Sequence, residues 1–300
     1  MLDNLTTEAH HPESGDLDLL SSHQIVALMN DADALVADAV RTQADSIARA
    51  IDVICERLRD SGRLIYVGTG TSGRLGVLDA SECPPTFDTH PDQVIGLIAG
   101  GPAALTRSAE HAEDQPQQAI DDLASVNLNP RDVVVGITAS GQTPYVLSAT
   151  DAARRQGVFV IGVTCNSQSE LQQRCDLCIT AVVGPEIVSG STRLKAGTAT
   201  KMILNMLTTG AMVRLGKTYG NLMVDLRATN QKLIDRSRRI LVQLTGVSAT
   251  EAEQLLARCA GELKTAVVAQ LSGVDPETAR SRLRQSDGRL RQALNTPKHG

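Results

Sequence analysis

Between residues 35 and 58 apolar side chains return every third or fourth position: Leu35, Val36, Ala39, Val40, Ile47, Ile51, Ile54 and Leu58. That period predicts one long helix with a single apolar stripe. The pattern then changes to short unbroken runs: RLIYV (63–67), VIGLIA (94–99), VVVGIT (133–138), VFVIGVT (158–164) and LCITAVV (177–183). Runs of this length, rich in β-branched residues, predict strands buried on both faces. Helical stretches are expected between them, from Pro102 to about Leu123, from Pro144 to Arg155, and briefly near Ser169 to Arg174. Strands alternating with helices at this spacing imply an α/β fold, a parallel-sheet three-layer sandwich. Ligands of such sheets bind beyond the carboxyl ends of the strands.

From Lys195 onward the strand signal ends. Two long helices are expected at about 196–216 and 224–243, joined around Gly216 and Gly220. After residue 244 the helices shorten. Ser248-Ala-Thr-Glu251 forms a capping box, Asp275-Pro276 is a cap followed by a first-turn proline, and glycines at 246, 261, 273 and 288 punctuate the chain. The expected division is a leader with helices (1–60), a central domain with its long C-terminal helices (61–243), and a small helical subdomain of three or four helices (244–300).

Composition narrows the function classes. The chain is 42% hydrophobic and 21% charged, ordinary for a protein with a substantial core. With a formal net charge of −5, 2% aromatics and no Trp, it offers neither a phosphate-tracking groove nor a base-stacking platform. No nucleic-acid partner is therefore expected. The leader MLDNLTTEAHHPESGDLD has no basic or apolar signal region, and the apolar stretch 196–215 carries Lys201, Asn205 and Arg214. A soluble, cytoplasmic protein that uses no membrane is expected. Of the six cysteines, only Cys175 and Cys178 form a C-x-x-C; no second pair or nearby His completes a zinc set, and a strand follows. Ordinary reduced thiols are expected.

The chemistry lies in the turns. Gly68, Gly70 and Gly73 have the G-x-G-x-x-G spacing of a dinucleotide site, between a strand and a helix. Such a site also wants an acid ending the second strand, to hold the ribose. Here that strand ends in Ile98-Ala-Gly-Gly101. The turn instead offers Thr69, Gly70, Thr71, Ser72 and Gly73, with amides at a helix N-terminus ready for an anion. A second turn, Thr138-Ala-Ser140-Gly141-Gln142-Thr143-Pro144, ends another strand, and Thr143-Pro144 reads as cap and first-turn proline. A third hydroxyl-rich segment, Ser189-Gly-Ser191-Thr-Arg-Leu-Lys195, adds two cations. One such turn would be ordinary capping. The set suits a phosphate monoester, which offers three acceptor oxygens.

Three carboxylates stand near these turns. Glu82, in Asp79-Ala-Ser-Glu-Cys-Pro-Pro85, falls at the end of the helix after the first turn, where Pro84-Pro85 is expected to force the chain away. Glu110 and Glu113 are three apart, on one face of the helix expected from Pro102. Position alone does not choose a catalyst among them, since solvated surface acids fit as well.

In order along the chain, LIYVGTGTSGRLGVLDASECPPT, GLIAGG, DVVVGITASGQTPYV, VSGSTRLKAGTATKMILNML and GNLMVDLRATNQKL resemble the motifs of the N-acetylmuramic acid 6-phosphate etherases, built on the sugar isomerase (SIS) phosphosugar-binding fold. The leader LTTEAHHPES shares the likeness, with His11 where Asn is more usual, and the tail resembles a ubiquitin-associated-type bundle. The resemblance implies a lyase of peptidoglycan recycling that cleaves the lactyl ether of a phosphorylated amino sugar, giving N-acetylglucosamine 6-phosphate and D-lactate. It implies no metal, no cofactor and a homodimer. It puts the proton donor on Glu82 and a second active-site residue on Glu113. Glu186, just before the third segment, is a further candidate, for holding the sugar or for a structural role. In the open-chain substrate the C2 proton is acidic beside the C1 aldehyde, so elimination needs a base at C2 and an acid at the C3 ether oxygen. Two other functions fit the same turns: a phosphosugar isomerase, or a non-catalytic sensor such as the glucokinase regulatory protein, whose two tandem SIS domains exceed this length.

Overall fold

The apolar runs form a parallel sheet in which every strand but the edge ones is flanked on both sides. In the computed structural model, which describes residues 5–226 and 231–295, three helices come first: α1 (Ser22–Asp33), α2 (Val36–Arg41) and α3 (Ala44–Arg59). Then follow β1 (Leu64–Gly68), α4 (Gly70–Phe87), β2 (Val94–Ile98), α5 (Pro116–Ser125), β3 (Val133–Ile137), α6 (Pro144–Arg155), β4 (Phe159–Thr164), α7 (Glu170–Arg174) and β5 (Leu177–Thr180). All five strands pair in parallel in the order β2-β1-β3-β4-β5. β1 and β3 are buried at every position, as their unbroken apolar runs require. Because the chain crosses from β1 to β2 on one side and returns to β3 on the other, the order reverses between β1 and β3. Loops diverge at such a switch point and leave a crevice.

After β5 come α8 (Lys195–Arg214), a short antiparallel hairpin of β6 (Thr218–Tyr219) and β7 (Leu222–Met223), and then α9 (Gln231–Thr245), α10 (Ala249–Arg258), α11 (Leu263–Ser272), α12 (Pro276–Gln285) and α13 (Leu290–Asn295). The chain divides into two compact units. The first holds the described residues up to Ser81 together with Pro91–Thr208; the second holds Glu82–His90 and the chain from Thr209. In the second unit Leu241, Ala252, Val267, Ala279 and Ala293, one from each helix, share an apolar core. Its caps are those the sequence signals: Ser248 accepts from the Glu251 amide, and Asp275 from Glu277 and Thr278.

Four local expectations are corrected. The long first helix breaks at Thr42-Gln43, where the Gln43 carboxamide turns to accept the Thr180 N–H of edge strand β5 at 3.0 Å. The stretch 102–123 is not one helix: single 3-10 turns at Pro102–Leu105 and Ala112–Asp114 precede α5, and His111 takes a left-handed backbone (φ 61°) that interrupts any continuation. Pro84-Pro85 does not end α4, which runs on to Phe87. Cys83 and Phe87, four apart and both buried, keep that last turn packed although two ladder hydrogen bonds are lost. The hairpin β6–β7 occupies the linker expected around Gly216 and Gly220; of the helix expected from 224, residues 227–230 lie outside the described residues, and α9 begins at Gln231.

Candidate functional site

β1 and β3 end side by side, with Gly68 opposite Ile137 in register, so the first two hydroxyl-rich turns leave adjacent strands at the switch point. In the first, Gly73 packs so closely that a Cβ on it would stand 2.7 Å from the Gly68 carbonyl oxygen and 2.7 Å from Ile98 Cγ1. Only glycine lets α4 start hard against β1. The first amides of a helix have no partner within it, which suits an anion at this turn.

The second turn is internally locked. Thr138 Oγ1 lies 3.2 Å from Ser140 Oγ and 2.7 Å from Thr143 Oγ1, and the Gln142 amide donates to Ser140 Oγ at 3.2 Å. Thr143 holds the N-cap position of α6, but its hydroxyl is committed to Thr138 and gives no side-chain cap. The first turn of α6 is thereby left without a side-chain acceptor, which suits an incoming anion. Gly141 has φ 71°, and a Cβ there would lie 2.3 Å from Ser169 Cβ. Gly141→Ala is therefore expected to cost about 2–5 kcal/mol through a left-handed penalty plus overpacking, measured as a lower urea midpoint.

The third segment joins the first through α8, where a Cβ on Gly197 would touch Thr71 Cγ2 at 3.5 Å. Ser189 is exposed and Ser191 half-buried. Glu186 takes the structural one of the two roles open to it, and Lys195, expected among the phosphate ligands, is buried with it. Glu186 is fully buried, and its two carboxylate oxygens accept the Lys195 and Ala196 amides at 2.9 Å each. It caps α8 and presents no exposed oxygen to a sugar. Lys195 is also buried, its ammonium donating to the Val183 carbonyl at 2.8 Å. Burial lowers its pKa, while Glu186 and Asp33 oppose the shift.

Beside the first turn opens a cavity of about 210 Å³ whose lining includes Thr69, Gly70, Arg74, Glu110, His111 and Glu113. Arg74, in the first turn's own helix, was not singled out by the sequence. Its guanidinium donates to the Leu105 and Arg107 carbonyls at 3.3 and 3.1 Å, pinning the loop that carries Glu113. Its signal was a lone cation one residue after Gly73. Glu113 itself is exposed. Glu82 is exposed too and belongs to the second unit.

Three residues before Glu82 on α4, Asp79 is buried and accepts from Tyr66 Oη at 2.8 Å and Thr208 Oγ1 at 3.2 Å, with Lys201 Nζ 3.9 Å away. Burial pushes the Asp79 carboxyl up, while the two hydroxyls and the Lys201 charge hold it down. This network ties α4 to β1 and α8. A larger cavity of about 360 Å³ opens in the second unit, where Lys264 binds Asp225 at 2.9 Å and Arg280 binds Glu262 at 2.8 Å. The C-x-x-C pair closes α7 instead of opening a helix; Cys175 shares a hydrogen bond with Cys178, which raises the one thiol and lowers the other.

Three family models match this chain. They describe the glucokinase regulatory protein N-terminal SIS domain (residues 46–154), the SIS domain (111–210) and the C-terminal lid domain of glucokinase regulatory protein (220–267). The N-acetylmuramic acid 6-phosphate etherase of Rhodopirellula baltica is 60% identical over 296 residues, 99% of this chain and 98% of that one. This chain belongs to the N-acetylmuramic acid 6-phosphate etherase family. The etherase of Streptomyces avermitilis is 53% identical over 98% of this chain and 94% of its own. Among solved structures, a putative phosphosugar isomerase involved in capsule formation from Bacteroides fragilis aligns with 22% identity and a TM-score of 0.49, covering 63% of this chain and 91% of that chain. The etherase family thus accounts for almost the whole chain, and its SIS models span the sheet and both hydroxyl-rich turns. No described helix is long and apolar enough to cross a membrane.

Proposed function

We infer that this chain is a lyase that cleaves the D-lactyl ether of N-acetylmuramic acid 6-phosphate, giving N-acetylglucosamine 6-phosphate and D-lactate. The observation that carries this reading is the divergence of β1 and β3 into two amide- and hydroxyl-bearing turns, the first of them beside a carboxylate-lined cavity, in a chain of this family. The phosphate is held by Thr69–Gly73 and Ser140–Thr143, with Ser189 and Ser191 adjoining. Its binding energy fixes the reacting carbons without touching them. Glu113 removes the C2 proton, and Glu82 protonates the ether oxygen as the C3–O bond breaks. Water then adds hydroxide at C3 and a proton at C2, restoring the sugar. Both carboxylates are exposed in the free chain, so water is excluded from them when the sugar fills the site.

The test is D-lactate release from N-acetylmuramic acid 6-phosphate, run in deuterium oxide. Lactate with deuterium at C2 of the amino-sugar product is the expected result. Conversion of an aldose to a ketose phosphate without lactate would make the chain an isomerase, and tight binding without turnover would make it a sensor. On this reading the enzyme works in the cytoplasm as a homodimer. Sedimentation should then give about twice the chain mass of 31.8 kDa.

A further inference from the structure

The leader is tied down by one buried side chain. Asn166, in the loop after β4, is 1% exposed. Its Oδ1 accepts from the Thr6 amide at 2.7 Å and from Thr6 Oγ1 at 2.9 Å; its Nδ2 donates to Thr7 Oγ1 at 3.0 Å and to the Ala139 carbonyl at 2.8 Å. Every donor and strong acceptor site of the carboxamide is used. Leu5 and Thr7 are buried beside it. Ordering a terminal segment costs about 1–2 kcal/mol per residue in backbone entropy. So dense a latch, nearly 160 residues away in sequence and on the carbonyl of the second phosphate turn, fixes what comes next.

What comes next is Glu8. Its Oε2 lies 3.1 Å from where a Cβ on Gly190 would stand, and two residues on His10 Nδ1 meets Ser189 Oγ at 3.2 Å. The leader thus lays a carboxylate on the third hydroxyl-rich segment, which adjoins the first through Gly197 and Thr71. Among the described residues no cation pairs with that carboxylate. We propose that Glu8 contacts the bound sugar and determines specificity by accepting a hydrogen bond from an uncharged donor, a hydroxyl or the acetamido N–H. On the substrate, only the uncharged donors suit it. An ionised carboxylate only accepts, and it repels both anions of the substrate, the phosphate and the lactyl carboxylate.

This inference rests on the etherase reading, and direct binding separates the two. Calorimetric titrations of the full-length protein with N-acetylglucosamine 6-phosphate and with inorganic phosphate are readable even if the parent releases no lactate, a result that would sink the reaction and not the contact. Glu8→Ala is expected to weaken the amino-sugar phosphate about 10- to 100-fold, the worth of a hydrogen bond to a charged acceptor, and to leave phosphate within about twofold. Glu8→Gln keeps an acceptor oxygen and should recover part of the loss. In turnover the change should fall on KM, with kcat within about threefold. Equal weakening of both ligands would mean that Glu8 merely orders the loop, and no change in either would mean that it touches nothing; each overturns the proposal.

Discussion

Glu82→Gln is expected to lower D-lactate release by about 10³-fold, within the range that a positioned general acid contributes. The substitution removes the transferable proton and little else. The side chain is exposed, and its place on α4 is set by buried neighbours, Cys83 and Phe87 below and Asp79 one turn before. Binding of N-acetylglucosamine 6-phosphate should therefore be retained, and the thermal midpoint should move by no more than a surface substitution does. The lactyl alkoxide is a poor leaving group, so a carboxamide in the same position cannot carry the C3–O cleavage. A variant that keeps a tenth or more of the parent rate would remove Glu82 from the role of acid. Lost binding, by contrast, would make it a substrate-holding residue.

The sheet was legible because strands buried on both faces need unbroken apolar runs, and VVVGI or FVIGV has few other uses. The turns of the candidate site were legible to the same depth. Glycine spacing and clustered hydroxyls mark turns at strand ends, and the parallel order brings two of them together. What stayed hidden depends on contacts distant in sequence. Asn166 looks like any loop residue until Thr6 and Thr7 fold onto it, and Glu186 is indistinguishable from a substrate ligand until α8 lays its first amides on the carboxylate. The stretch 102–123 misled for a local reason. Pro116 is the first residue of α5, so the sequence did carry a helix start there, but its apolar pattern ran on backwards into a loop that Arg74 holds. Pro84-Pro85 misled in the opposite direction, because the packing of Phe87 outweighs the proline penalty.

Glu113→Gln should also cost about 10³-fold in lactate release, but it should differ from Glu82→Gln in isotope exchange. Glu113 sits on the Ala112–Asp114 turn, in the lining of the cavity that includes Thr69 and Gly70, so a sugar anchored by the first turn lies within that carboxylate's surroundings. If it is the base, its loss stops proton removal at C2. N-acetylmuramic acid 6-phosphate held with Glu113→Gln in deuterium oxide should then show neither lactate nor deuterium at C2. With Glu82→Gln the base remains while the leaving group goes unassisted, so unreacted substrate should gain C2 deuterium faster than lactate appears. The reverse pattern, exchange kept without Glu113 and lost without Glu82, would put both proton transfers on Glu82. Elimination and water addition would then run through one carboxylate, with Glu113 left to hold the sugar.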